Sequence, residues 1–228
     1  MNERSADLQR STADSQRPAT ASFFDRARAR LTLEVPPALT DPTAQGARGD
    51  LDLNPDMWVR AGVKATKPAA VLVPVIDRSE PTVLLTQRTA ELASHAGQVA
   101  FPGGKIDPDD ESPVAAALRE AREETGLAPT LVEPIGYLDL YLTFSGFRIL
   151  PTVARVKPGF TLAINPREVV ETFEVPLEFL MTPENHQRKT RDWNGLQREY
   201  YAIAFEDRYI WGITAGILRN LYDRIYAA

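Results

Sequence analysis

The hydrophobic positions of the chain form short continuous runs in its middle and a helical pattern further on. The run AAVLVPVID over 69–77 is almost wholly apolar, which is typical of a strand buried on both faces. Turn residues separate it from TVLLTQR over 82–88, which we predict to be a second strand. Apolar residues recur at helical spacing over 212–226, so we predict an amphipathic helix there.

A further helix is predicted between Ser112 and Gly126. The serine is a suitable N-cap, Pro113 suits the first helical position, and the glycine can end the helix. Two strands joined by a hairpin at 144–146 are predicted to follow it. Because strands and helices mix without regular alternation, we predict the α+β class, as a layered αβα sandwich.

The first part of the chain has a different composition. Residues 1 to about 20 are rich in Ser, Arg, Asp and Ala, which predicts a mobile arm, and 21–35 can form a short helix. Pro, Asp and Gly are frequent over 36–68, so we predict irregular structure that wraps the domain. The predicted division is an N-terminal arm at 1–50 and a folded domain at 51–228.

Composition narrows the class of protein. The chain has 228 residues, 43% of them hydrophobic, which is enough to bury a core. Its net charge of −5 argues against a nucleic-acid partner, and the lack of cysteine excludes disulfides and thiolate catalysis. No apolar run resembles a secretory signal or a membrane span, so we expect a cytoplasmic protein without a membrane partner.

The segment REAREETGL, Arg119–Leu127, crowds three glutamates onto the predicted helix. Glu120 and Glu124 are four residues apart and share a face, with Glu123 beside them. Such a face is either a solvated surface or a set of hard oxygen ligands for Mg²⁺ or Mn²⁺, and the spacing alone favours the solvated surface. The glycines of FPGG, Phe101–Gly104, change this balance because they let the backbone approach a phosphate-bearing ligand.

The segment Gly103–Leu127 resembles the Nudix box, G-x5-E-x7-R-E-U-x-E-E-x-G-U, in which U is a bulky aliphatic residue. The matching residues are Glu111, Arg119, Glu120, Glu123, Glu124, Gly126 and Leu127. Gly104 lies one residue further from Glu111 than the box requires, so either Asp110 or Glu111 takes the acidic role. Ala121 replaces a bulky residue of the box.

The preceding segment, 84–104, resembles a motif of the coenzyme A pyrophosphatase subfamily, roughly L-L-T-x-R-S/A-x3-R-x3-G-x3-F-P-G-G. Ala93 stands where this subfamily carries arginine. The substrate is therefore coenzyme A or a derivative, or else another nucleoside diphosphate derivative such as ADP-ribose, NADH or a dinucleoside polyphosphate. A nucleotide-binding regulator without turnover is disfavoured because all three glutamates are present.

The resemblance implies a Nudix-type αβα sandwich with a mixed β-sheet and metal-dependent hydrolysis of a diphosphate linkage. With coenzyme A the expected products are 3′,5′-ADP and 4′-phosphopantetheine. Mg²⁺ or Mn²⁺ is expected on Glu120, Glu123 and Glu124, with the carbonyl of Gly104 as a further ligand. Arg119 is expected to orient the carboxylates.

The same resemblance suggests the remaining roles. Glu123 or Glu168 is the candidate base, although Glu168 could instead cap or pair locally near Arg167. Residues expected to contact the nucleotide substrate are Arg88, His95, Gly97, Phe101 and Gly103. HQRKTRDWNG over 186–195 could stack on an adenine or meet a phosphate, but an exposed hairpin tip is favoured. Whether the chain forms a homodimer is left open.

Overall fold

The structure is a computed structural model that describes residues 22–44, 46–91, 96–193 and 195–227. The helices of this part are α1 (Phe23–Arg30), α2 (Asp50–Leu53), α3 (Pro55–Ala61), α4 (Pro113–Thr125), α5 (Leu177–Leu180) and α6 (Ile213–Tyr222). The strands are β1 (Ala47–Gly49), β2 (Lys67–Ile76), β3 (Thr82–Arg88), β4 (Val99–Ala100), β5 (Gly103–Lys105), β6 (Val132–Tyr137), β7 (Leu140–Leu142), β8 (Phe147–Val156), β9 (Val169–Pro176), β10 (Gln187–Trp193), β11 (Leu196–Phe205) and β12 (Arg208–Trp211).

Strands β1 to β9 form one mixed sheet. Its main path runs β1-β7-β8-β2-β3-β4, while β5 pairs with β2, β6 with β8, and β9 with β3. The β2–β8 and β1–β7 pairs are parallel and the others in this sheet are antiparallel. Strands β10 to β12 form a separate antiparallel sheet.

Strand β2 is buried on both faces, as its apolar sequence predicted. Ala70 and Leu72 face a cluster that contains Ala117 and Ala121 of α4, whereas Val73 and Val75 face the cluster that contains α1 and α6. This alternation follows from the two-residue period of a strand. Helices therefore cover both faces of the sheet, and the predicted α+β sandwich with a mixed sheet is confirmed.

Helix α1 is the short helix predicted over 21–35. Ser22 caps it by accepting from the backbone N–H of Asp25 at 3.2 Å, and Phe23, Phe24 and Ala27 are buried in the main core. The helix lies against β6 and the end of the chain. The division of the chain at residue 50 stays a prediction.

Two predicted loops contain short elements that the sequence analysis did not resolve. The segment 36–68 holds β1, α2 and α3, and the loop before α4 holds β4 and β5. Each of these strands has only two or three residues, too few for a recognisable period, and each forms by pairing with a distant strand. No helix in the described ranges is long and apolar enough to cross a membrane.

Candidate active site

Helix α4 begins and ends where its local sequence predicts. The hydroxyl of Ser112 accepts from the backbone N–H of Ala115 at 3.1 Å, and Pro113 occupies the first helical position. Gly126 adopts a left-handed conformation with φ of 74°, and its N–H donates to the carbonyl of Arg122. These caps fix the helix that carries the three glutamates.

Glu124 lies at the centre of the site and is only 1% exposed. Its Oε2 accepts from the backbone N–H of Gly103 at 3.1 Å, and its Oε1 accepts from Nη1 of Arg88 at 3.1 Å. Burial raises the pKa of Glu124 to about 7, against the opposing effects of Arg88 and the Gly103 N–H. The nearby charges of Glu120 and Glu168 raise this pKa further.

The two glycines of FPGG are needed because the backbone passes very close to its neighbours. A Cβ on Gly103 would lie 2.5 Å from the carbonyl oxygen of Ala70. A Cβ on Gly104 would lie 2.5 Å from the carboxyl carbon of Glu120. The loop can therefore contact both carboxylates of α4 only with glycine at these positions.

Glu120 is half-buried beside this loop and accepts from Nη1 of Arg119 at 3.0 Å. Burial raises the pKa of Glu120, the Arg119 guanidinium lowers it, and the charges of Glu123 and Glu168 raise it again. Glu120, Glu124 and Glu168 are thus close enough for their negative charges to repel one another.

Arg119 is held chiefly by Asp110. Its Nε and Nη2 donate to the two carboxylate oxygens of Asp110, both at 2.9 Å, and Nη2 also donates to the carbonyl of Lys105 at 3.2 Å. The guanidinium holds the pKa of Asp110 below its usual range. Glu111 is exposed and makes no hydrogen bond or ion pair with a described residue. Of the two candidates for the acidic position, Asp110 is therefore the one that contacts Arg119.

Glu123 and Glu168 have different surroundings. Glu123 has a side chain that is 56% exposed and lies 3.4 Å from Nη1 of Arg119. Glu168 accepts from Nδ2 of Asn165 at 3.0 Å, and its carbonyl accepts from the N–H of Thr89. It makes no ion pair with Arg167 among the described residues. The charge of Glu168 raises the pKa of both Glu120 and Glu124, whereas that of Glu123 raises only the pKa of Glu120.

A cavity of about 210 Å³ borders the glycine loop, and neither Glu120 nor Glu124 lines it. We call it the loop cavity. Arg88, Phe101, Gly103 and Gly104 line it, as does Lys105, which the sequence analysis did not select. Nε of Arg88 is buried without an acceptor among the described residues. Four of the residues expected to contact substrate or metal thus line one cavity, together with a second cation.

Two further expected contacts stand apart from this cavity. Gly97 does not line it; the carbonyl of this glycine accepts from Nε2 of Gln87, and its N–H donates to the carbonyl of Thr89. His95 lies outside the described residues, as does Ala93. The structure therefore describes Gly97 as part of a turn and gives no position for His95.

The donor atoms of this site fit a hard divalent cation. Carboxylates of Glu120 and Glu124 lie one turn apart against the same glycine loop, and their mutual repulsion is of the kind that a cation relieves. In the described residues no three acidic or histidine side chains are already arranged to hold a metal ion. Glu120 and Glu124 are instead engaged by Arg119 and Arg88.

The chain is similar to one known protein family and to individual members of it. The family model described as "NUDIX domain" matches residues 66–198. The chain is 41% identical over 157 residues to "Uncharacterized Nudix hydrolase NudL" of Yersinia pestis (strain Pestoides F), covering 69% of this chain and 79% of that protein. The protein of the same name from Yersinia pseudotuberculosis serotype O:1b (strain IP 31758) gives the same values.

Solved structures give more distant similarities. An Ap4A hydrolase of C. elegans is 21% identical with a TM-score of 0.40, covering 48% of this chain and 80% of that one. The NUDIX domain of Shewanella oneidensis NrtR, complexed with ADP ribose, is 21% identical with a TM-score of 0.40, covering 55% and 84%. The family model spans more than half of the chain, and the curated relatives are matched over most of their length. The chain therefore belongs to the Nudix family and is a pyrophosphohydrolase that acts on a nucleoside diphosphate derivative.

Proposed function

We propose that the protein hydrolyses the diphosphate linkage of coenzyme A or its derivatives, giving 3′,5′-ADP and 4′-phosphopantetheine or its acyl form. One observation carries this proposal. The segment 84–104, which resembles the coenzyme A pyrophosphatase motif, contacts the glutamate helix directly through Gly103 and Arg88, both of which bond to Glu124. The part of the chain that carries the subfamily motif is thus in direct contact with Glu124, a proposed metal ligand.

Nudix hydrolases generally require a divalent cation. The proposed ligands for Mg²⁺ or Mn²⁺ are Glu120 and Glu124, with Glu123 and the carbonyl of Gly104 as further ligands. A bound cation would neutralise phosphate oxygens and make water a better nucleophile near neutral pH. Arg119 is a positioning residue in this scheme, because Asp110 fixes its guanidinium while it bonds to Glu120.

Phosphate binding and proton transfer are assigned to side chains of the protein. Arg88 and Lys105 line the loop cavity and would bind the phosphate oxygens of the substrate. The oxygen of a water molecule forms a bond to one phosphorus while the bond from that phosphorus to the bridging oxygen breaks. Glu168 accepts the proton of that water, since it lies close to Glu120 and Glu124 and is oriented by Asn165. Glu123 is the alternative base.

A second function within the same class is hydrolysis of ADP-ribose, NADH or a dinucleoside polyphosphate. Its support is Ala93, which stands where the subfamily motif has arginine. A regulator without turnover is disfavoured, because Glu120, Glu123 and Glu124 are all present on one helix. The substrate is a small nucleotide derivative in both readings; cytoplasmic location and a homodimer stay predictions.

Product analysis tests the proposal. The protein is incubated with Mg²⁺ or Mn²⁺ and coenzyme A, ADP-ribose, NADH or a dinucleoside polyphosphate, and products are resolved by chromatography. Formation of 3′,5′-ADP from coenzyme A, in preference to products from the others, is the expected result. If another diphosphate is cleaved while coenzyme A survives, the second function replaces the first.

Two matched variants assign the base. We expect Glu168→Gln to lower kcat by about 100-fold or more, within the range usual for general base catalysis, and Glu123→Gln to lower it less. The opposite order would give the base role to Glu123.

A further inference from the structure

A second and larger cavity, of about 590 Å³, lies between the β10–β12 sheet and the segment that contains α2 and α3. We call it the aromatic cavity. The lining residues that matter here are Phe144, Arg191, Trp193, Arg198, Tyr200 and Trp211. The site described above does not use any of them.

Strand alternation explains how these side chains come together. Arg191 and Trp193 are two residues apart on β10, and Arg198 and Tyr200 are two residues apart on β11, so each pair shares a face of the sheet. Tyr201, the residue after Tyr200, points to the opposite face and packs against the main core with α6. One face of the sheet is therefore committed to the core, and the other lines the cavity.

The opposite wall is held over the sheet by Asn54, which is buried. Its Nδ2 donates to the carbonyl of Glu199 at 2.9 Å, and its Oδ1 accepts from the N–H of Glu199 at 2.8 Å. Met57 and Ala61 of α3 line the cavity from this side. The cavity thus lies between α3 and the β10–β12 sheet, and the hydrogen bonds of Asn54 hold these two walls together.

Two arginines face each other across the strands of this sheet. Arg191 is directly opposite Arg198 in the β10–β11 register. Arg198 is neutralised by Asp50 at 2.8 Å and lies 4.5 Å above the ring of Phe144, whereas Arg191 makes no ion pair with a described residue. Arg191 is therefore the member of this pair whose charge no described carboxylate balances, and an anion beside it would supply that partner.

The aromatic cavity adjoins the loop cavity. Gln98, Ser145, Trp211 and Ile213 line both of them. Trp211 therefore stands at the junction, between the glycine loop and the arginine pair. A ligand whose diphosphate lies beside the glycine loop would extend past Trp211 into the aromatic cavity.

We propose that the aromatic cavity binds the nucleoside end of the substrate, with the base stacked against Trp211 and a phosphate on its ribose bonded to Arg191. This proposal rests on the proposed function, since it places the two halves of a coenzyme A-like substrate. Aromatic faces bind bases by stacking, and a guanidinium binds phosphate through paired hydrogen bonds. A flexible pantetheine chain has no ring to stack and no anionic group beyond the diphosphate.

Tryptophan fluorescence tests this proposal without turnover. The chain has three tryptophans. Trp193 and Trp211 line the cavity, while Trp58 packs 5.3 Å from Phe144. The protein is titrated in the absence of metal with 3′,5′-ADP, 5′-AMP and 4′-phosphopantetheine. We expect quenching by both nucleotides, tighter binding of 3′,5′-ADP, and little change with 4′-phosphopantetheine.

Two variants and a control locate the binding. Arg191→Gln is expected to weaken 3′,5′-ADP about tenfold and to leave 5′-AMP unchanged, because it removes one charge-assisted contact. Trp211→Leu is expected to weaken both nucleotides by about tenfold, as the loss of a stacking partner does. The control is Arg188→Gln, on the same strand but bonded to Glu199, which is expected to change neither. If Trp211→Leu does not fold, Arg191→Gln decides.

The proposal is overturned if 4′-phosphopantetheine quenches in an Arg191-dependent manner, or if Arg191→Gln binds 3′,5′-ADP like the unchanged protein. Either result can arise while coenzyme A is still hydrolysed, and the proposed function then stands without this site. Conversely, variant-sensitive nucleotide binding without hydrolysis of coenzyme A would retain the cavity proposal and reject the proposed reaction.

Discussion

The glutamate helix and the aromatic cavity are built in opposite ways. The glutamates of α4, Asp110 and the two glycines that contact them all lie within the short segment Gly103–Leu127. The second is assembled from residues as far apart as Asp50 and Trp211. A compact motif can be recognised along the chain, whereas a cavity that combines three strands and three helices cannot.

The two parts also carry opposite charge. Around the helix, the charge of Glu168 raises the pKa of both Glu120 and Glu124, which favours a cation there. In the aromatic cavity Arg191 and Arg198 face a single acidic residue, Asp50, which favours an anion. A substrate with a diphosphate in the middle and a further phosphate at one end suits this arrangement.

The largest effect should come from removing the central carboxylate of the helix. We expect Glu124→Gln to lower kcat by at least about 100-fold because a cation ligand is lost. Its melting temperature should change by only a few degrees, since burying an uncharged amide avoids the cost of burying a carboxylate. Steady-state kinetics and thermal unfolding together check this, and a parallel collapse of stability would show a structural role instead.

Asp110 and Glu111 are adjacent carboxylates that sharpen the comparison within the helix region. Asp110→Asn should raise the cation concentration needed for half-maximal activity by about 10- to 100-fold, because Arg119 loses its charged partner. Glu111→Gln should leave this concentration unchanged, since the side chain is exposed. Activity measured across a range of Mg²⁺ concentrations checks both variants. Equal effects would mean that the box is aligned on Glu111 after all.

Asn54 tests the wall of the aromatic cavity. Asn54→Ala should lower the free energy of unfolding by about 1–3 kcal/mol, because the partly buried N–H and carbonyl of Glu199 lose their partner. We expect KM to rise while kcat is nearly kept, since the variant loosens a cavity wall and not the glutamate helix. Urea unfolding and steady-state kinetics provide the two numbers. A lowered kcat at constant KM would contradict the separation of the two parts.

The smallest expected effect is a pH dependence of stability next to β10. His186 is buried, with Nε2 2.6 Å from the carbonyl of Leu180 and Nδ1 without a partner among the described residues. Burial lowers the pKa of His186, and Arg219 lowers it further, while the Leu180 carbonyl and Asp223 act in the opposite direction.

Because the folded-state pKa is below that of the unfolded chain, the neutral ring stabilises the fold above about pH 6.5, and this contribution is lost as the pH falls. The urea midpoint should therefore drop between pH 7.5 and 5.5 by more in the unchanged protein than in His186→Phe. Equal drops would show that other groups dominate.

Much of the helix region followed from local sequence. Ser112, Pro113 and Gly126 determine where α4 begins and ends through contacts within a few residues. The continuous apolar run of β2 likewise predicts burial on both faces. The offset in the box could not be resolved in this way. The choice of Asp110 over Glu111 depends on the path of the loop over Arg119, which nearest-neighbour preferences do not encode.

The sequence by itself determined the sandwich, the caps of the glutamate helix and the glycine loop, because each depends on period, caps or close backbone approach over a short span. Tertiary structure alone decided that Arg88 bonds to Glu124 across 36 residues, that Asp110 bonds to Arg119, and that Arg191, Trp193 and Trp211 line one cavity. Such pairings form only when distant segments pack together, and their free energy comes from burial and hydrogen bonding between those segments.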